Sequence, residues 1–134
     1  MSIKLETEAI RTIAAFERVT KVHARDCLIT DNCIYFLVEV GKVGLAIGKN
    51  GSVIKEMRRV LGRPIRIFGY SENPEDMIKS ITPVKTVKLE DDSLVVTIQP
   101  KDRVLIIGKN GETIRVVRDF LKRHYNINNL KLRM

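Results

Sequence analysis

The 134-residue sequence predicts an α+β fold built twice in tandem, each copy a three-stranded mixed sheet packed on helices. Three observations predict it. Ile47-Gly48-Lys49-Asn50-Gly51-Ser52-Val53-Ile54 returns sixty residues later as Ile107-Gly108-Lys109-Asn110-Gly111-Glu112-Thr113-Ile114. Each copy is preceded by two apolar runs of strand length around an acidic turn, with Asp31 and Asp91 at the same offset. An amphipathic helical pattern follows each copy and leads to one more short apolar run. A repeat of this period marks two modules, residues 1–70 and 71–134. Modules of about 65 residues are marginal alone, so they are expected to pack together across a short join.

The first element is a helix over residues 3–19, with Leu5, Ala9, Ile10, Ile13 and Phe16 on one face at spacings of three and four. A strand over 22–29, the turn Thr30-Asp31-Asn32 and a strand over 33–40 form a hairpin. Ile34, Tyr35, Phe36, Leu37 and Val38 are apolar on both faces, the pattern of a central strand. A short helix over 42–47 enters the first glycine-bounded turn. The helix after it, 52–62, places Val53, Ile54, Met57, Val60 and Leu61 on one face. Gly62 and Pro64 stop it, and 65–69 is a strand. Asn73 is a helix cap, with Pro74 in the first turn of a helix over 74–81. Strands over 84–90 and 93–99 follow, the second alternating Leu94, Val96 and Ile98 with Val95, Thr97 and Gln99. Residues 101–107 repeat the short helix. A helix over 112–125 has Ile114, Val117, Phe120 and Leu121 on its core face, and 129–133 is the last strand.

The repeated turn carries the chemistry. Glycine lets a backbone approach a ligand closely and take conformations closed to other residues. The unpaired N–H groups at the start of the following helix favour an anion. Lys49 and Lys109 add a positive charge inside each turn. The natural ligand is a phosphate, and two copies point to a polymer of phosphates. Asn50 and Asn110 serve either the turn geometry or the ligand. A nucleotide-binding P-loop is excluded by spacing: three residues, not four, separate Gly44 from Gly48-Lys49, and Asn50 stands where a magnesium-binding hydroxyl belongs.

A net charge of +8 and a pI near 9.7 fit a polyanionic partner, although a lysine-rich surface also serves solubility. The modules carry +5 and +3. Cys27 and Cys33 lack the spacing of a disulfide scaffold or zinc site and read as strand thiols. Neither His23 nor His124 has a nucleophile or acid arranged around it, so no catalytic residue, metal or cofactor is expected. No apolar run approaches a membrane span, and a cytoplasmic monomer is expected.

Ile-Gly-x-x-Gly-x-x-Ile resembles the core signature of the KH RNA-binding domain, whose loop clamps a short run of backbone nucleotides. With a strand and helix before the loop pair, the order is that of the prokaryotic, type II, arrangement. Two such modules resemble the archaeal NusA-type transcription factors. The resemblance implies single-stranded RNA as partner, a role in elongation, termination or antitermination on nascent RNA, and contact with RNA polymerase. The bacterial members also carry an N-terminal polymerase-binding domain and an S1 domain, and the chain is expected to hold neither. The alternatives are a KH protein of ribosome assembly or RNA processing, and a subunit of an RNA-processing enzyme.

By the family's pattern, Gly48, Lys49, Asn50, Gly51, Gly108, Lys109, Asn110 and Gly111 contact the RNA backbone. Ile47, Ile54, Ile107 and Ile114 lie under the loops and floor the groove. Ile65, Arg66 and Ile67, and Leu130, Lys131 and Leu132, would form the opposite wall. Arg58 and Arg118, one helical turn beyond Ile54 and Ile114, contact either RNA or only solvent. With four Phe, three Tyr and no Trp, an aliphatic groove fits better than aromatic stacking platforms.

Overall fold

A computed structural model describes residues 3–134, with side chains from residue 7 onward; the expectation for Leu5 therefore lies outside the described side chains. The chain divides into two compact units, Met1–Ser71 and Glu72–Met134.

In the first unit, the run Ile34–Val38 is buried on both faces of the strand. That burial puts β2 (Ile34–Glu39) in the middle of the sheet, between β1 (Ala24–Ile29) and β3 (Ile65–Tyr70). β1 and β2 are an antiparallel hairpin, whereas β2 and β3 run parallel, in register Ile34 with Ile65 through Glu39 with Tyr70. Parallel neighbours need a crossover. It consists of a 3₁₀ turn, α2 (Val43–Ile47), the glycine-bounded loop and α3 (Ser52–Leu61). α1 (Ile3–Thr20) packs on β1 and α3. Its inward line is Thr12, Phe16 and Thr20, spaced by four. The Phe16 ring stacks on Phe36 with centroids 4.0 Å apart, and Thr20 Oγ1 donates to the Phe16 carbonyl at 2.8 Å. Ile10 is 67% exposed, against expectation. It lies about a third of a turn from the direction of Phe16, outside the stripe that the sheet can cover.

The hairpin turn is held by Thr30, whose N–H and Oγ1 both donate to the Cys33 carbonyl. Neither Asp31 nor Asn32 takes a left-handed conformation there, whereas Asp91 in the second hairpin does, at φ 55°. α3 ends at Gly62 in the left-handed region, and its N–H closes on the Arg58 carbonyl at 2.8 Å. Val60, expected in the core, is exposed on the rim of the face centred on buried Met57.

The second unit repeats the plan. α4 (Pro74–Lys79) starts where expected: Asn73 Oδ1 accepts from the Glu75 N–H at 3.0 Å. It stops two residues short of the expected end, at Lys79, where Ser80 Oγ donates to the Met77 carbonyl. β4 (Thr86–Glu90), β5 (Ser93–Thr97) and β6 (Asn129–Arg133) form the sheet in order β4-β5-β6, antiparallel then parallel. α5 (Arg103–Ile107) and α6 (Glu112–Tyr125) make the crossover, and left-handed Asn126 ends α6. Val116 and Thr113 join the expected core face of α6. The fold is therefore α+β, two three-stranded mixed sheets each packed on helices.

Candidate nucleic-acid interface

Each loop joins the C-terminus of a five-residue helix to the N-terminus of a longer one. The Gly48 N–H closes α2 on the Gly44 carbonyl at 2.9 Å, and the Gly51 N–H reaches the Gly48 carbonyl at 3.1 Å. Gly108 and Gly111 make the equivalent bonds at 3.0 and 3.2 Å. The backbone angles repeat as well. Gly48 has φ 79° and ψ 167°, Asn50 56° and 26°, Gly51 74° and 16°. Gly108 has 74° and 177°, Asn110 56° and 25°, Gly111 72° and 15°. No angle differs by more than 10° between the copies.

These angles explain the residues. The conformation of Gly48 is one that glycine alone adopts readily. A Cβ there would stand 2.8 Å from the Val53 backbone nitrogen, and one at Gly108 would stand 2.2 Å from Thr113 Oγ1. The first glycine of each loop is thus where the following helix presses on the turn. Asn50 and Asn110 sit in the left-handed region, which asparagine tolerates better than most residues. The turn therefore has a use for them whatever they contact.

Lys49, Asn50, Lys109 and Asn110 are exposed. The N-cap of α3 and of α6 is glycine, which has no side chain to cap the helix, and the Ser52 and Glu112 N–H groups close back on the Lys49 and Lys109 carbonyls. Each loop thus presents an exposed ammonium beside the positive end of a helix dipole, an arrangement that attracts an anion. Ile47, Ile54, Ile107 and Ile114 lie half-buried beneath the loops. Leu45, Val104 and Leu105, on the helices feeding the loops, are exposed apolar residues that widen this surface. Their exposure depends on where five-residue helices end, which periodicity cannot give over so short a run.

The strand residues expected in the opposite wall divide by burial. Ile65 and Leu130 are only 1% exposed and belong to the core, and Ile67 is buried beside Ile65 in the cluster that holds Phe16 and Met57. Strand alternation then turns Arg66 to the sheet face away from the helices. Its guanidinium lies 5.3 Å from the centroid of the Phe68 ring on that face. Lys131, exposed and paired in register with Val95, likewise alternates with buried Leu130. Arg58 is exposed on α3. Arg118 is exposed on α6, and its Nη2 donates to the Leu130 carbonyl at 3.2 Å, tying helix to strand.

Charge differs between the copies. Ser52–Leu61 carries Lys55, Arg58 and Arg59 against Glu56, a net +2, while residues 112–121 carry Arg115 and Arg118 against Glu112 and Asp119, a net zero. Arg59 is partly spoken for: it hydrogen-bonds Glu56 and holds that carboxyl below the usual glutamate value. Sequence reading passed over Arg115, whose Nη1 donates to the Asn110 carbonyl at 2.9 Å. Its position four residues past Gly111, one helical turn, was the available signal. Among the described residues, no group of three or more His, Cys, Asp or Glu side chains could hold a metal ion, and no helix is long and apolar enough to cross a membrane.

Residues 10–85, more than half of the chain, match the model of the KH domain family. The chain belongs to the KH domain family. The matched span covers the first loop and ends before the second, whose KH character rests on the repeated element order, sheet and loop angles. Relatives extend over both units. The chain is 32% identical to a Methanocaldococcus jannaschii protein named "Probable transcription termination protein NusA", over 97% of this chain and 75% of that one. It is 35% identical to the Methanococcus vannielii protein of that name, over 98% and 80%, and 30% identical to that of Halococcus morrhuae, over 98% and 99%. Among solved structures, that of APE1850 is similar with a TM-score of 0.74 and 30% identity, covering 95% of this chain and 99% of that one. The protein is thus an archaeal NusA-like KH protein.

Proposed function

We propose that this KH protein binds single-stranded RNA through both loops and acts on nascent transcripts, in the cytoplasm, as a NusA-type elongation, termination or antitermination factor. The observation that carries the proposal is the loop pair. Two turns with the same left-handed backbone each hold an exposed lysine at the N-terminal end of a helix. The names of the relatives support the transcriptional role, and contact with RNA polymerase is proposed along with it.

In this reading Lys49 and Lys109 contact phosphate oxygens, as do backbone N–H groups of the first turns of α3 and α6. Bases lie on the aliphatic surface of Ile47, Leu45 and Ile54, or of Ile107, Leu105 and Ile114. A site of this kind takes unstacked bases and discriminates against a duplex. The test is a titration of the full chain, as a monomer, with single-stranded and duplex RNA of equal length. Single strands bind well above duplex on this account; equal or tighter duplex binding overturns it.

A further inference from the structure

We propose that Arg115 is a positioning residue of the second loop, a brace for which the first loop has no counterpart; the inference deepens, and rests on, the RNA-binding reading above. The Arg115 side chain folds back from α6 across the end of the loop. Its Nη1 donates to the Asn110 carbonyl at 2.9 Å and lies 3.3 Å from the place a Cβ on Gly111 would occupy. The bond is charge-assisted and fixes the direction of the peptide between the left-handed Asn110 and Gly111. That peptide sets the orientation of the N–H groups that follow it into α6.

Lys55 holds the equivalent place in the first unit. Its Cε lies 4.0 Å from the Cβ position of Gly51, so the side chain follows the same path. Among the described residues it makes no hydrogen bond to the Asn50 carbonyl. A planar guanidinium is suited to such a fixed bond, and an ammonium on a flexible stem is a mobile point charge. The first loop thus keeps its cation for a phosphate, on a helix segment of net +2. The second ties its cation to the backbone, on a segment of net zero. The first loop gains affinity from charge. The second gains it from being ordered before the RNA arrives, which lowers the entropy lost on binding.

Backbone ¹⁵N relaxation on the full chain without RNA reads the brace directly. Higher order parameters are expected at Asn110 and Gly111 than at Asn50 and Gly51. Arg115→Ala lowers the second loop to the level of the first and leaves the first loop and the Tm unchanged, and Lys55→Arg raises the first. Equal order in the two wild-type loops, or a second loop indifferent to Arg115→Ala, overturns the inference. The RNA arm uses the Lys49→Asp, Asn50→Asp background and a short single strand. Arg115→Ala weakens binding there about threefold to tenfold, with the salt slope unchanged. A slope reduced by about 0.7 makes Arg115 a phosphate ligand and overturns the brace. If the loop order responds as expected while no RNA binds any variant, the RNA reading fails and the brace stands.

Discussion

The two units share a loop and differ in the helix that introduces it. α1 has 18 residues and brings Phe16 onto Phe36; α4 has 6, and the residues sixty positions on from that aromatic pair are Asp76 and Val96. β1 is partly buried beneath α1, whereas β4 is exposed along most of its length. Despite this, the loop angles agree within 10°. The difference teaches that the loop is made locally. Two glycines, a left-handed asparagine and the helix starting behind them suffice, and the lead helix stabilises the unit without shaping the site.

The largest expected effect would break this separation if it is wrong. Phe16→Ala removes a fully buried ring from the first unit and should cost about 3–5 kcal/mol in chemical denaturation. The protein that remains folded should keep its amide chemical shifts at Lys49–Gly51. Shifts there as large as those in β2 would mean that the lead helix does shape the loop.

Next come the glycines. Gly48→Ala and Gly108→Ala each place a Cβ against the start of the next helix, in a conformation alanine disfavours. Strain and overpacking together give about 2–4 kcal/mol. At Gly51 the nearest atom would be Ile54 Cγ2, at an ordinary 3.6 Å, so Gly51→Ala should cost only the left-handed penalty of about 1–2 kcal/mol. Urea melts of the three variants should keep this ranking. A reversed order would place the tight contact at the wrong glycine.

The smallest effect separates geometry from ligand contact at the asparagines. Asn50→Gly and Asn110→Gly keep the left-handed turn accessible, so stability should change by no more than about 0.5 kcal/mol. If asparagine serves only the turn, RNA affinity changes by less than about twofold, within roughly the same energy. A much larger loss in one variant makes that amide a ligand and the two loops unequal in a second respect.

Much of this was legible in the sequence. Repetition made it so: a motif seen twice at one offset locates the turn, and strand runs of opposite burial demand locate the sheet. Asn73-Pro74 named a helix start through its capping chemistry, and the start is where it should be. What escaped has a common cause. Periodicity gives the direction of a face but not its width, so Ile10 and Val60 were assigned to a core that does not extend to them. Arg66 and Lys131 alternate with buried neighbours, and which sheet face each takes depends on where the core lies, which strand membership alone does not give. The bond from Arg115 to a carbonyl five residues back depends on the left-handed turn between them, which a helical wheel does not contain.

The central claim is that both loops hold one RNA by its phosphates. The direct test uses two variants, Lys49→Asp with Asn50→Asp, and Lys109→Asp with Asn110→Asp. All four positions are exposed, and aspartate tolerates the left-handed region, so both melting temperatures should stay near that of the unaltered chain. Titrations with a long and a short single-stranded RNA should show each pair weakening the long RNA about tenfold to a hundredfold, the loss of one or two charge-assisted contacts. The short RNA should respond mainly to the pair in the loop it occupies. The account is contradicted if one pair abolishes binding while the other leaves every RNA unaffected, for then the second loop is scaffold.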